Sequence, residues 1–282
     1  LFVLAIRGLT LPGGIDGLKF LFLPRFDELT ASAIVLALGH SFFTLSLGMG
    51  TMITYGSYLN KKQNLLNSAL WVIALDTAIA LLAGTAIFTS VFAAGADPDG
   101  GPGLIFYILP SIFPQLAYGA IWGTLFFTLL FMAALTSAIS ILEVVTAYFI
   151  DQKGWSRNRA TIQFGATITI VGVFCSFSMG GGINIAEYFG SSFQHYLGET
   201  FFDVMDNLSS KYMLPFGGMM TAIFILVRWG VPSFLSEFGG EKLDSEKNRL
   251  IVTIFCFIAA GVAGFILLNE LIETITGNAI IG

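Results

Sequence analysis

The chain has 282 residues, 55% hydrophobic and only 11% charged, with a formal net charge of −5 and a mean hydropathy of +0.82. A soluble domain carries about 25% charged residues, so composition excludes that class and predicts an integral membrane protein with several spans. The charge is too small and scattered for nucleic acid, and Cys175 and Cys256 sit in apolar runs that offer neither a disulfide framework nor metal-ligand spacing.

Residues 1–12, LFVLAIRGLTLP, are too short to span and read as the tail of another helix. With no initiator Met and no signal-peptide pattern, the chain reads as an N-terminally truncated fragment. Residues 13–30 form a polar outer loop. Apolar runs follow at 31–59, 66–94, 117–150, 160–180, 205–230 and 249–272, each near or above the ~20 residues a spanning helix needs. Between them, 95–116 (AGADPDGGPGLIFYILPSIFPQ) has Gly/Pro punctuation around an apolar centre. IFYIL is a poor fit to water, so the expectation is short helices dipping toward the protein rather than an exposed loop.

Loop charge sets orientation. Lys61 and Lys62, then Lys153, Arg157 and Arg159, then Arg228, Lys242, Lys247 and Arg249 mark alternate connections. Asp97, Asp99, Glu187, Glu199 and Asp203 mark the others. The positive-inside rule puts 60–65, 151–158 and 231–248 in the cytoplasm, with the C-terminus outside.

Within 31–59 lies GHSFFTLSLGMGTMITYGSY, residues 39–58, with Thr44, Ser46, Gly48 and Gly50 at its centre. Inside a bilayer no water satisfies open backbone groups, so a glycine- and hydroxyl-rich interruption at mid-depth costs free energy unless it lines a site. In the next run, ALDTAIALLAG places Asp76 early in a span. Two readings stand for it: a carboxylate favoured by the helix dipole, or a cation ligand. In 117–150, ALTSAISILE presents Thr136 and Ser137 with the Ala133 carbonyl one turn before Ser137. Such oxygens suit a hard cation, whereas the plainer alternative is hydroxyls bonded to preceding carbonyls or to neighbouring helices. Glu143, farther along the same span, is an ionisable group at membrane depth and requires a partner.

The segments FFTLSLGMG with MITYGSYL, LDTAIALLAG, GPGLIFYILP, ALTSAISILE and MDNLSSKYMLP occur in an order that resembles the neurotransmitter:sodium symporter family, especially its bacterial amino-acid transporters. The likeness runs over nearly the whole chain. It implies an all-α polytopic membrane protein with a five-plus-five inverted-repeat transporter fold, here without the first four helices and most of the fifth. On that register 1–12 is the end of the fifth helix and 31–59 the broken sixth. The seventh is 66–94, 95–116 an outer re-entrant loop, 117–150 the eighth, 160–180 the ninth, 205–230 the tenth and 249–272 the eleventh.

The resemblance implies roles residue by residue. Phe43, Thr44, Ser46 and Met49 would hold the amino acid, with Ser137 and Ile141 also lining its pocket. Thr44 and Asp76 would serve a first sodium, and Ala133 (carbonyl), Thr136 and Ser137 a second. Asp206 matches the acidic half of an outer gate, or simply a helix-start carboxylate. Three departures matter. Asp76 stands where Asn is more frequent, and Ala80 where chloride-dependent relatives carry Ser, which predicts chloride independence. Met49 replaces an aromatic; its polarisable thioether predicts large apolar or aromatic substrates. His40 replaces a common Gln and reads equally as a gate partner or a packing residue.

The implied activity is sodium-coupled symport of an amino acid by alternating access, with Gly48 and Gly50 as a flexible joint. The expected location is the cell membrane, multi-pass, in a bacterial inner membrane. The expected partners are the amino acid, sodium as coupling ion and the lipid bilayer; a homodimer is left open. No cofactor is expected, and nothing resembles a catalytic nucleophile, metal cluster or phosphate loop. A channel or non-transporting membrane module is the alternative, and the 282 residues alone are expected to bind neither sodium nor amino acid tightly.

Overall fold

The computed structural model describes residues 1–60, 63–98, 104–115, 117–179, 200–239 and 245–276. Lys61, Lys62, Asp99, Glu187, Glu199 and Lys242, used above for orientation, lie outside them. Every regular element among the described residues is helical. Among the described residues, five helices are long and apolar enough to cross a membrane: Leu65–Ala93, Gly119–Lys153, Arg157–Met179, Phe201–Trp229 and Glu246–Thr276. Apolar side chains surround them on most sides, as a helix solvated by lipid rather than water requires. They are numbered α5, α6, α7, α8 and α10 below. The shorter helices are α1 Phe2–Leu9, α2 Gly14–Phe22, α3 Ala31–Thr44, α4 Thr51–Ser57 and α9 Val231–Gly239.

The chain divides into two compact units: Leu1–Leu29 with Trp71–Ala138, and Thr30–Leu70 with Ile139–Gly282. In the first, Leu4, Ala5, Ala86, Val91, Leu109 and Phe113 are buried together. Residues 13–30, expected as an outer loop, contain α2. Gly14 and Gly17 lie on one face, and a Cβ on Gly17 would collide with the Phe88 carbonyl; only glycine permits that approach. The Phe20 ring then packs at a tilt against Phe88 and Phe92, with centroids 5.1 and 5.3 Å away. In 104–115, a wide helical turn at Leu104–Ile108 followed by short helical turns buries Leu104, Leu109, Ile112 and Phe113.

In the second unit α8 and α10 run side by side over much of their lengths, and α3 rests on both. Two wide turns, Leu208–Met213 and Ile225–Trp229, interrupt the regular winding of α8. The first is tied to α10 by a hydrogen bond between Tyr212 and Thr274 and by Lys211 Nζ, 3.6 Å from Glu270 Oε2. Residues 231–248, expected as a cytoplasmic loop, hold α9. Gly230, at φ +88°, makes the turn that folds α9 back, an angle L side chains rarely adopt.

Candidate functional site

The centre of 31–59 is not helical. Between α3 and α4, residues 45–50 form a turn in which Ser46, Gly48 and Gly50 have φ of +54°, +80° and +86°. The Leu45 amide donates to the Ser41 carbonyl (3.1 Å), and the Leu47 amide reaches back to Phe42 (2.8 Å), closing α3. Gly50 then starts α4 without a side-chain cap. Glycine tolerates positive φ at no steric cost. Ser46 does not, and a non-glycine residue held there is often a sign of a binding or switch segment.

A second cause holds this turn. A Cβ on Gly48 would strike the Leu214 carbonyl and lie 2.9 Å from the Gly218 amide, while a Cβ on Gly217 would strike the Gly48 carbonyl. The break therefore lies backbone-to-backbone against Leu214–Gly218 of α8, and Gly218 leaves room for the Phe42 ring. Sequence reasoning missed Gly217 and Gly218. The signal was present: a Gly–Gly pair inside an apolar span marks close backbone approach.

Around the break, Phe43 is 51% exposed, Thr44 is exposed, and Ser46 and Met49 are half-buried. The His40 ring stacks on Phe43 at 6.1 Å. Ile141 is exposed on α6 in the same unit. Asp206 is exposed in α8, and its backbone carbonyl accepts hydrogen bonds from the Ser209 (3.0 Å) and Ser210 (2.6 Å) hydroxyls.

Asp76, Ala133, Thr136 and Ser137 belong to the first unit. Asp76 is half-buried in α5, and the other residues are exposed on α6. Thr136 Oγ1 donates to the Ala133 carbonyl at 2.9 Å. That bond is the plain alternative raised above. It also sets two hard oxygens at a spacing two ligands of one cation can have, since a hydroxyl that donates still accepts.

Glu143 has its partners. Arg157 donates Nη1 to Oε2 and Nη2 to Oε1, both at 2.9 Å, and the Tyr58 hydroxyl donates to Oε1 at 2.6 Å. Three residues earlier on each helix, the Tyr55 hydroxyl donates to Ser140 Oγ at 2.8 Å. Tyr55 and Tyr58 on or beside α4 thus face Ser140 and Glu143 on α6 as two matched rungs. Residues three apart share a helix face, so equal spacing on both helices lets the rungs form together. Arg157 is brought into place by the turn at Gly154 (φ +65°). There the Gly154 amide bonds Ile150 at 3.0 Å and the Trp155 amide bonds Phe149 at 3.2 Å, a glycine-ended helix cap that reverses the chain into α7.

A family model described as "Sodium:neurotransmitter symporter family" matches residues 1–278. The chain is 38% identical over 235 residues to a protein of Bacillus subtilis described as the uncharacterized sodium-dependent transporter YhdH, covering 83% of this chain and 50% of that protein. It is 36% identical over 255 residues to an uncharacterized sodium-dependent transporter of Haemophilus influenzae, covering 89% of this chain and 52% of that one. Among solved structures it is similar to MhsT in complex with L-phenylalanine, at 42% identity and a TM-score of 0.80, covering 95% of this chain and 58% of MhsT. The chain spans about half the length of the curated relatives it matches.

Proposed function

The chain belongs to the sodium:neurotransmitter symporter family, and from that premise we propose that it forms the substrate-bearing part of a sodium-coupled amino-acid symporter. It is a multi-pass integral protein of the cell membrane. The observation that carries the proposal is the break at 45–50: strained at Ser46, glycine-hinged and seated on Gly217. A membrane-buried segment with open backbone groups is tolerated where it lines a site.

In this reading Phe43, Thr44, Ser46, Met49, Ser137 and Ile141 contact the amino acid. Thr44 is also a sodium ligand, and so is Asp76. The Ala133 carbonyl, Thr136 and Ser137 are ligands of a second ion, and Asp206 gates the outer side. Sodium supplies positive charge to these oxygens and orders the segments that carry them. By linkage, each ligand raises the affinity of the other by the same factor. Met49 and the L-phenylalanine named for the MhsT complex support a large apolar or aromatic amino acid. Asp76 with Ala80 in place of a hydroxyl supports transport without chloride, the carboxylate supplying the negative charge.

The Glu143–Arg157–Tyr58 cluster fits a closure on the side the basic loops assign to the cytoplasm. It ties α4, immediately beyond the break, to α6 and α7, and must part if α4 moves. The test is uptake of radiolabelled L-phenylalanine by the full-length protein in proteoliposomes: the account predicts saturable uptake driven by an inward sodium gradient. Flux that neither saturates nor requires sodium would favour a channel.

A further inference from the structure

The break has a second face. Behind it lies a cavity of ≈ 540 Å³, within the ~300–1,000 Å³ typical of small-molecule sites. Ser46, Leu47, Gly48 and Gly50 of the break line it, whereas Phe43, Thr44 and Met49 do not. Phe42, Phe234, Phe238 and Phe255 supply aromatic walls, and none of its lining side chains is charged. Of the hydroxyls that line it, Thr221 donates to the Gly217 carbonyl at 2.8 Å. A zwitterionic amino acid would find no charge partner here, and apolar cavities do not hold water well. The chemistry asks for hydrocarbon.

The rim identifies which hydrocarbon. Trp229 extends the aromatic wall outward, with ring centroids 5.7 Å from Phe234, which in turn lies 4.9 Å from Phe238. Tryptophan at the end of a membrane helix marks the headgroup level. Arg228 follows the lining residue Ile225 by three positions, and Lys247 and Arg249 precede the lining residue Val252 on α10; all three cations are exposed. Glu237 and Glu246 are the described acidic residues on the same connections. Basic residues at the cytoplasmic end of spans attract anionic headgroups.

We propose that this cavity is a binding site for an anionic phospholipid, one acyl chain lying against Phe42, Phe234 and Phe255, and the phosphate held by Arg228, Lys247 and Arg249. The site meets the proposed amino-acid site at Ser46, but its occupation needs neither sodium nor transport. The lipid packs directly on the break at Ser46, Leu47, Gly48 and Gly50, so it braces that segment.

The experiment uses the full-length protein in phosphatidylcholine vesicles doped with phosphatidylglycerol carrying brominated chains, which quench nearby tryptophan. The Trp229 signal is the difference between wild type and Trp229→Phe. Quenching should saturate, at a mole fraction at least roughly tenfold below that needed with brominated phosphatidylcholine, as basic residues at the cytoplasmic end of a span favour an anionic headgroup. Arg228→Gln combined with Lys247→Gln should remove the headgroup preference, and Ala259→Phe, which fills the cavity, should remove the saturable phase. Headgroup-blind quenching that rises without saturation, or a saturable phase that survives Ala259→Phe in folded protein, would overturn the proposal. Either result would leave sodium-coupled uptake, measured separately, untouched.

Discussion

Arg157 grips Glu143 through both guanidinium nitrogens of its fork, each 2.9 Å from a different carboxylate oxygen. The pair is asymmetric: the Arg157 side chain is 60% exposed and that of Glu143 16%. Removing the arginine therefore leaves a sheltered carboxylate held by the Tyr58 hydroxyl, and a carboxylate at such depth is costly without a cation. Removing both charges together costs less, because it leaves nothing unpaired.

Arg157→Ala should weaken closure at this end. The measure is the labelling rate of a cysteine placed on α4 by a membrane-impermeant reagent from the cytoplasmic side. The expected rise is roughly 5-fold or more, the lower range of coupling between linked elements. Arg157→Ala combined with Glu143→Gln should return most of the way to wild type, and Tyr58→Phe should have the smallest effect. Equal labelling in all the variants would show that the pair does not hold α4.

The glycines rank by what a methyl group would meet. Gly48→Ala combines a φ of +80° with a backbone collision, and Gly217→Ala drives a carbon into the Gly48 carbonyl. Each should cost more than about 2 kcal/mol, beyond the ordinary range of surface changes. Gly218→Ala meets the Phe42 ring, which can rotate away, so it should cost less. Gly56→Ala meets nothing within 4 Å and sits in α4, so it should be neutral or stabilising by about 0.5–1 kcal/mol. Thermal unfolding in detergent reads this order directly.

Asp76 and Ala80 predict an ion requirement. Wild-type uptake should be unchanged when gluconate replaces chloride. Asp76→Asn with Ala80→Ser should acquire a chloride requirement, because the negative charge then has to come from solution. Loss of wild-type uptake without chloride would refute the assignment of that charge to Asp76.

Met49 predicts a selectivity shift. Met49→Ala should weaken competition by L-phenylalanine roughly 10-fold or more, the scale of lost apolar contact in a pocket, while affecting L-alanine much less. An equal loss for both would place Met49 away from the substrate side chain.

Much of this was legible in the chain because the bilayer imposes simple rules. Long apolar runs had to become α5, α6, α7, α8 and α10, and Ser46, Gly48 and Gly50 could not continue a helix at low cost. Glu143 announced a need for a partner. What the chain did not disclose was which one: Arg157 comes into reach through the Gly154 turn, and Tyr58 through the pairing of α4 with α6, both products of tertiary packing. Helices α2 and α9 were missed because each is short and lies beside longer apolar runs, where polar and glycine residues read as loop. Gly17 and Gly217 show the same lesson from the other side. A glycine that serves close packing looks, in sequence, like one that serves a turn.

The central claim is that sodium and an amino acid bind cooperatively to oxygens on these helices. Its most direct test is equilibrium binding of tritiated L-phenylalanine to the purified full-length protein across a sodium titration, with potassium holding ionic strength constant. The account predicts saturable binding whose affinity rises with sodium, together with a markedly weaker sodium dependence in Thr136→Val and Ser137→Ala. Binding of equal affinity in potassium and sodium, or a sodium dependence unchanged in those variants, would contradict it.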